Sequence, residues 1–451
     1  MNTLTAQFET VYYITVLSNF ARGYDKYRRV YSKNGIPEST YPDLFFVLAE
    51  SELEIGVRKA TLLLSKLQLP GNRLIALQAR VPSATLQSNS MSGLGRIYPA
   101  NDLPIHAVFD LMTNEHQPKL VTALLEDIVA DSYRLLATEM IDYEQLRPRS
   151  VSILPVARGC QAACPFCFSE ASVSADQEQQ KPDLLKIGSI LRHARQRGAE
   201  RAVITGGGEP ALLKDDQLCQ LISACAYEFS KVVLITNGYR HSRLKKDERA
   251  ASLVALATAG LTVLNVSRHH HANEINQSLM NLDTQSVNLA ETWRERHADF
   301  PRLRFRFTCV LQQGGIADAQ AVHDYVSWAA GLGVPEICFK ELYVSTSRES
   351  VYHSLATNNW AAQHQVPLSV VVDFAKDHGF NEIARLPWGA PVFRGQIDGH
   401  DITVAAYTEP SLFWERTHGI ARSWNVMADG TCLASLEDRA SEMMPKTYEL
   451  R

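Results

Sequence analysis

The chain has no run of apolar residues approaching the ~20 that a membrane-crossing helix needs, so nothing in it reads as a transmembrane span. It also lacks a surplus of positive charge: 45 Lys and Arg stand against 49 Asp and Glu, a formal net charge of −4. Proteins that hold nucleic acid through phosphate contacts carry the opposite balance, so nucleic acid is not an expected partner. Cysteine is sparse, 8 in 451 residues, which argues against a disulfide framework. The first twenty residues have no basic leader and place Glu9 inside their apolar stretch, a poor match to an export signal. These absences point to a reducing compartment, the cytoplasm. Internal repeats and low-complexity tracts are absent too.

What remains is ordinary globular composition, 45% hydrophobic and 21% charged, in a chain long enough for two or three domains. Residues 1–149 are expected to be mainly helical. Ranges 5–33, 44–67 and 117–143 carry apolar residues at three- and four-residue spacing, with strands only at 74–80 and 105–111 and a loop at 93–102. No motif assigns this region a role.

From Ser150 the pattern changes. Strand-like runs at 151–157, 201–205, 231–236, 261–267, 303–312 and 335–342 alternate with helical segments at 183–197, 213–229, 243–259, 273–297 and 319–332. Six such alternations predict a parallel sheet with right-handed crossovers. They are too few for a closed eight-stranded barrel, so an open or partial barrel over residues 150–344 is expected. Functional groups should gather at the C-terminal ends of its strands. Residues 345–451 read as an α+β extension over the barrel mouth, with a hairpin turning at Asp429-Gly430.

The first strand of the series runs into RGCQAACPFCFSE, where Cys160, Cys164 and Cys167 form C-x3-C-x2-C. Soft thiolates at this spacing suit one side of an iron–sulfur cubane. Three ligands leave one iron open for a substrate or cofactor. A zinc site completed by a distant side chain, or buried structural cysteines, are the alternatives, although zinc ribbons normally show paired C-x2-C elements. Read that way the chain is a non-catalytic metal-binding protein.

C-x3-C-x2-C with the aromatic Phe166 before its last cysteine, after the first strand of a β/α series, resembles the radical S-adenosylmethionine (radical SAM) superfamily over residues 150–344. The resemblance implies a partial (β/α)6 barrel and a [4Fe–4S] cluster on Cys160, Cys164 and Cys167. S-adenosylmethionine would be chelated to the open iron, with Phe166 beside the adenine. It also implies an electron donor such as flavodoxin or ferredoxin, and cleavage of the sulfonium to a 5′-deoxyadenosyl radical that abstracts hydrogen from a small molecule such as a sugar, nucleoside or amino-acid derivative. The alternative within the family is peptide modification, with residues 1–149 recognising the peptide. Auxiliary clusters are not expected, since only Cys432 follows Cys338.

Further segments match the family. Gly207, Gly208 and Glu209 in ITGGGEP resemble the motif that grips the cofactor's amine, preceded by an extra glycine, Gly206. Asn237 in LITNGY is expected to reach the ribose. In LTVLNVSRHHH, strand alternation aims Asn265 and Ser267 inward, and Ser267 and Arg268 resemble residues that bind ribose and carboxylate.

Among the three consecutive histidines, His269 and His270 are candidates for substrate contact, and a proton donor near neutral pH is expected in this group. Arg306 lies on the inward face of the fifth strand and needs a carboxylate, internal or from a ligand. On the sixth strand, parity turns Lys340 inward unless a bulge exchanges it for Glu341, and whichever faces in is the catalytic candidate, to bind substrate or shuttle a proton. Tyr343 follows at the mouth. Cys432 is a candidate hydrogen-atom donor if the hairpin folds over the site, and otherwise a small buried hydrophobe.

Overall fold

The computed structural model describes strand backbone at 8–17, 47–50, 73–82, 105–111 and 119–120, and then residues 142–168, 172, 174, 176, 178, 181–344, 350–352, 355–410, 415 and 419–443. The chain divides into two compact units, Met1–Met140 with Thr346–Arg348 and Ile141–Ser345 with Glu349–Arg451. No helix among the described residues is long and apolar enough to cross a membrane.

The first unit holds an antiparallel sheet of strands β1 (Phe8–Leu17), β2 (Val47–Glu50), β3 (Arg73–Pro82), β4 (Ile105–Leu111) and β5 (Lys119–Leu120), ordered β2-β1-β3-β4-β5. Strands β3 and β4 fall where they were expected. Helix over 5–33 was the wrong reading for β1, whose ten residues pair with β3 from Phe8↔Pro82 to Leu17↔Arg73. The segment FETVYYITVL is dense in β-branched and aromatic residues, which favour a pleated surface. A run that dense satisfies three- and four-residue spacing as readily as alternation. Strands β2 and β5 likewise replace helix within 44–67 and 117–143. The rest of those ranges and the loop at 93–102 lie outside the described residues.

In the second unit six parallel strands follow the predicted order: β6 (Arg147–Pro148) leads into β7 (Val151–Ile153), then β8 (Ala202–Ile204), β9 (Val232–Thr236), β10 (Val263–Ser267), β11 (Arg304–Leu311) and β12 (Glu336–Glu341). Each of β7 to β12 pairs in parallel with the next. The crossovers carry α1 (Leu184–Gln196), α2 (Asp215–Glu228), α3 (Tyr239–Ser242), α4 (Lys246–Thr258), α5 (Asn273–Met280), α6 (Val287–Arg296) and α7 (Ala319–Gly331).

Helix α1 starts where the Asp183 carboxylate accepts from the amides of Leu185 and Lys186. It buries Ile187, Ile190, Leu191 and Ala194 along one stripe. The helix expected over 273–297 breaks at Asn281, which takes a left-handed conformation (φ 50°) as the α5 C-cap. Asn tolerates that region better than other non-glycine residues.

After residue 350 come α8 (Ala356–His364), α9 (Ser369–Asp377), β13 (Asn381–Arg385), β14 (Pro391–Ile397), β15 (His400–Tyr407), β16 (Ile420–Ala421), β17 (Trp424–Val426) and β18 (Cys432–Leu433). This segment extends the sheet at both ends, giving the order β13-β14-β15-β12-β11-β10-β9-β8-β7-β17-β18. Strand β15 runs parallel to β12, and β17 parallel to β7. Strands β17 and β18 form the expected hairpin around Asp429-Gly430. Tyr407 of β15 and Ile420 of β16, a strand of the separate two-stranded β16-β6 sheet, pack on the same buried Trp388 and Ala390 and so bring the chain leading into β17 close to the β15 flank.

Candidate active site

The cysteine loop lies just beyond the C-terminal end of β7. Leu154, Val156 and Ala157 are buried, and the chain then emerges at Arg158, Gly159 and Cys160. Cys160, Cys164 and Cys167 are free thiols. They are close enough to act on one another: burial, then the charges of Cys167 and Cys160, push Cys164 up to about 12. Such thiols ionise readily only when a cation shares their charge. Among the described residues no three His, Cys, Asp or Glu groups are arranged to hold a single metal ion. A cubane offers each thiolate a separate iron.

Glu209 ties this loop to the ends of β8 and β9. Its amide donates to the Gly159 carbonyl (2.9 Å). Its buried carboxylate accepts from Thr236 Oγ1 (2.5 Å) and Ala211 N (3.0 Å) through Oε1, and from Asn237 N (2.8 Å) through Oε2. Burial raises its pKa, opposed by those three bonds. The glycines before it are set by space. A Cβ on Gly208 would stand 2.3 Å from the Gly159 oxygen, and one on Gly206 would stand 1.4 Å from the Gly208 oxygen. The extra glycine is therefore a steric requirement of this turn.

Asn237 does not stand open for a ribose. Its Nδ2 donates to Gln161 Oε1 (3.0 Å) and Cys160 Sγ (3.5 Å), while Oδ1 accepts from Tyr239 N (2.8 Å). In this arrangement Asn237 positions the cysteine loop.

Phe166 is half-buried against Val310, Leu342, Ala361 and Trp360 of α8. The His269 ring meets it edge-on at 5.0 Å between centroids. His269 Nδ1 accepts from the Val310 amide (3.1 Å), so its ring proton sits on Nε2. Burial, then Arg268, lower its pKa to about 3; His270 is lowered to about 4 by burial, then His271 and Arg268. Both shifts favour the neutral imidazole at pH 7. Arg268 follows Leu264 and Val266 in strand parity, which turns it out of the barrel. Its guanidinium donates to the carbonyls of His270 and His271 and to Asn273 Oδ1, each at 2.7 Å, over the Trp328 ring of α7. It braces the histidine loop. Ser267 stays on the inward face, beside Thr308 of β11.

Burial alternates along β11 and β12. The outward Phe307, Cys309 and Phe339 are wholly buried, whereas the inward Arg306, Thr308, Cys338 and Lys340 keep part of their surface open. The inward face of these strands is thus polar and partly open. Arg306 finds its carboxylate inside the protein, donating through Nε to Glu336 Oε2 at 2.9 Å. Lys340 is the inward residue of β12 and pairs with Glu409. Glu341 faces outward, where it accepts from Thr408 Oγ1 (3.2 Å). Tyr343 donates to Glu437 Oε1 (2.7 Å) beside Phe168 and Tyr352. Cys432 is buried in the hairpin, its thiol pushed up to about 12 by burial and acted on by Lys186 of α1 rather than by a cysteine of the loop. That placement gives the bland reading of Cys432, a small buried hydrophobe.

Residues not singled out from the sequence also line the site. Trp360 walls Phe166, and Gln312 is buried with its Oε1 lacking a hydrogen-bond partner. Glu409, Arg422 and Glu437 come from the C-terminal segment, which holds no local motif. Only the fold carries them to the barrel.

Residues 154–297 match the family model of the radical SAM superfamily. A curated relative, GTP 3′,8-cyclase of Actinobacillus pleuropneumoniae serotype 5b, is 31% identical over 115 residues, 25% of this chain. The match spans 31% of that relative, so the chain covers about a third of its length. Among solved structures, Streptococcus suis SuiB bound to S-adenosylmethionine is similar at 15% identity and TM-score 0.42, over 70% of this chain and 66% of that one. Coproporphyrinogen III oxidase (HemN) of Escherichia coli is similar at 15% identity and TM-score 0.33, over 52% and 54%. Members of the matched family bind S-adenosylmethionine and carry a [4Fe–4S] cluster. Residues 154–297, which run from the cysteine loop through β8, β9 and β10, are thus identified as a radical SAM domain.

Proposed function

We propose that the chain holds a [4Fe–4S] cluster on Cys160, Cys164 and Cys167 and uses it to act on a small molecule through S-adenosylmethionine. The observation that carries this is the hydrogen-bonded knot at the ends of β7, β8 and β9. One buried carboxylate, Glu209, joins the cysteine loop, the glycine turn and the Thr236–Asn237 turn. The bound group would supply one electron to the sulfonium, releasing the 5′-deoxyadenosyl radical whose primary carbon takes a hydrogen atom from substrate.

The protein's own work is to bind, orient and exclude water. Three of the roughly four acceptor positions of Glu209 are taken, which leaves one side of Oε2 and the glycine carbonyls for the methionine ammonium. Phe166, His269 and Trp360 form an aromatic wall for the adenine, and Gln312 Oε1 offers an acceptor beside that strand. Ser267 is left for the ribose. Asn237 donates to Cys160 sulfur, a bond of the kind that tunes iron–sulfur potential. The described part of the C-terminal segment would cover the mouth, and the reducing cytoplasm with a flavodoxin or ferredoxin donor suits an exposed cluster.

The test is anaerobic reconstitution with iron and sulfide, followed by assay of 5′-deoxyadenosine after addition of S-adenosylmethionine and dithionite. About four irons per chain and adenosine formation are expected in the wild type, and neither in Cys164→Ala. Zinc in place of iron, or adenosine retained in that variant, overturns the reading.

A further inference from the structure

In the barrel interior, pairs of cations share single carboxylates. Lys340 of β12 and Arg422, just before β17, share a single carboxylate, Glu409. Deeper on the same inward face Arg306 shares Glu336 with Arg304. Arg201, at the start of β8, has an inward course: its strongest electrostatic partners are Tyr407 across the barrel, Arg149 and Arg306. Among the described residues the ion pairs of Arg306, Lys340 and Arg422 thus use two carboxylates, each shared with a second cation, and a charge removed from bulk water without a full partner is costly.

The inward face is partly open where these groups stand. On β15 Ala405 and Tyr407 are partly exposed while Val404 and Ala406 are wholly buried, the same alternation as on β12. Tyr407 stands beside Lys340 in register. Lys340 also lies within electrostatic reach of Cys167, so this cationic wall borders the cysteine loop.

We infer that the substrate carries an acidic group, a phosphate or carboxylate, which docks between Lys340 and Arg422 at the seam where the chain leading into β17 comes close to the β15 flank. The inference deepens the proposed function and rests on it, since it assigns that site its substrate class. Arg422 supplies a planar fork and Lys340 a point charge, a pair that suits an oxyanion. Glu409 holds the two cations in place and competes with the incoming anion for them.

The experiment uses the full reconstituted chain, with inorganic pyrophosphate and succinate as acidic probes and ribose as a neutral one, read by thermal shift and calorimetry. One or both acidic probes should raise Tm and ribose should not. Binding should weaken about tenfold or more in Lys340→Gln and in Arg422→Gln, the usual loss for a charged hydrogen bond, and Lys340→Arg should restore it. Glu409→Gln should bind the probe more tightly than wild type, an outcome that misfolding cannot imitate. Response to pyrophosphate alone names a phosphorylated substrate, and to succinate alone a carboxylate. If neither acid shifts Tm, or if the glutamine variants bind as wild type does, the cationic pair is only a clamp between sheet edges and the inference fails. Adenosine formation without any anion binding sinks this inference alone; anion binding without adenosine formation sinks the reading beneath it.

Discussion

Around Cys160 the polar groups are matched at short range: Glu209 accepts from three neighbours and Asn237 donates to two. At the seam between β15 and β17 two cations lean on one carboxylate. The first region is built from turns that directly follow consecutive strands, the second from Lys340 of β12 and two residues of the C-terminal segment, Glu409 and Arg422. A site for an invariant cofactor can be closed and satisfied before the ligand arrives. A site for a variable substrate is left with charge for the ligand to answer, and open space to hold it. The contrast can be broken at three points of decreasing effect.

Glu209→Gln keeps size and shape but sets an amide N–H₂ or a lone acceptor against groups that all donate. With Nε2 turned toward the Asn237 amide, two donors face each other in a buried site, a defect of about 1–3 kcal/mol. Adenosine formation should fall about a hundredfold and Tm should drop, because three turns lose their common anchor. Wild-type turnover in this variant would show that the knot is decorative.

How much of this was legible differs along the chain in the same way. The six parallel strands and their order follow from alternation of hydrophobic period, and the cysteine and glycine motifs fall at strand ends because the turns there are local. Parity alone chose Lys340 over Glu341 correctly, since no bulge intervenes in the β11–β12 register. The same parity, carried one residue beyond Ser267, would have turned Arg268 outward onto Trp328; likeness to relatives pulled it the other way. Strand β1 was misread because its apolar residues are too dense to show a period. Glu409 and Arg422 could not be found from sequence: their partners are set by β15 joining β12 and β17 joining β7, pairings without a local signal.

Asn237→Ala removes one weak bond to Cys160 sulfur, one to Gln161 and the acceptor of the Tyr239 amide, while leaving the backbone bond to Glu209. Outer-shell losses of this kind cost about tenfold or more in metal affinity or activity. We expect the low end, about tenfold in adenosine rate, with iron content retained and an altered EPR signal of the reduced cluster. Unchanged EPR and rate would mean that the amide only shapes the turn.

The smallest effect lies at His269, where the neutral ring packs on Phe166 and accepts from Val310. Its pKa is lowered in the folded protein to about 3, against about 6.5 unfolded. Between these values the unfolded chain binds a proton that the folded one refuses, so stability falls as pH drops below about 6.5 and continues to fall toward 3. At pH 5.5 the loss from this ring is about 1.4 kcal/mol by linkage, and at pH 7.5 it is close to zero. His269→Gln keeps an acceptor and cannot titrate, so its Tm should decline less than that of wild type between pH 7 and 5. The two Tm profiles should be nearly parallel above pH 7, whatever the constant offset from packing. If they stay parallel down to pH 5, the imidazole titrates normally and the wall beside Phe166 is wetter than its burial implies.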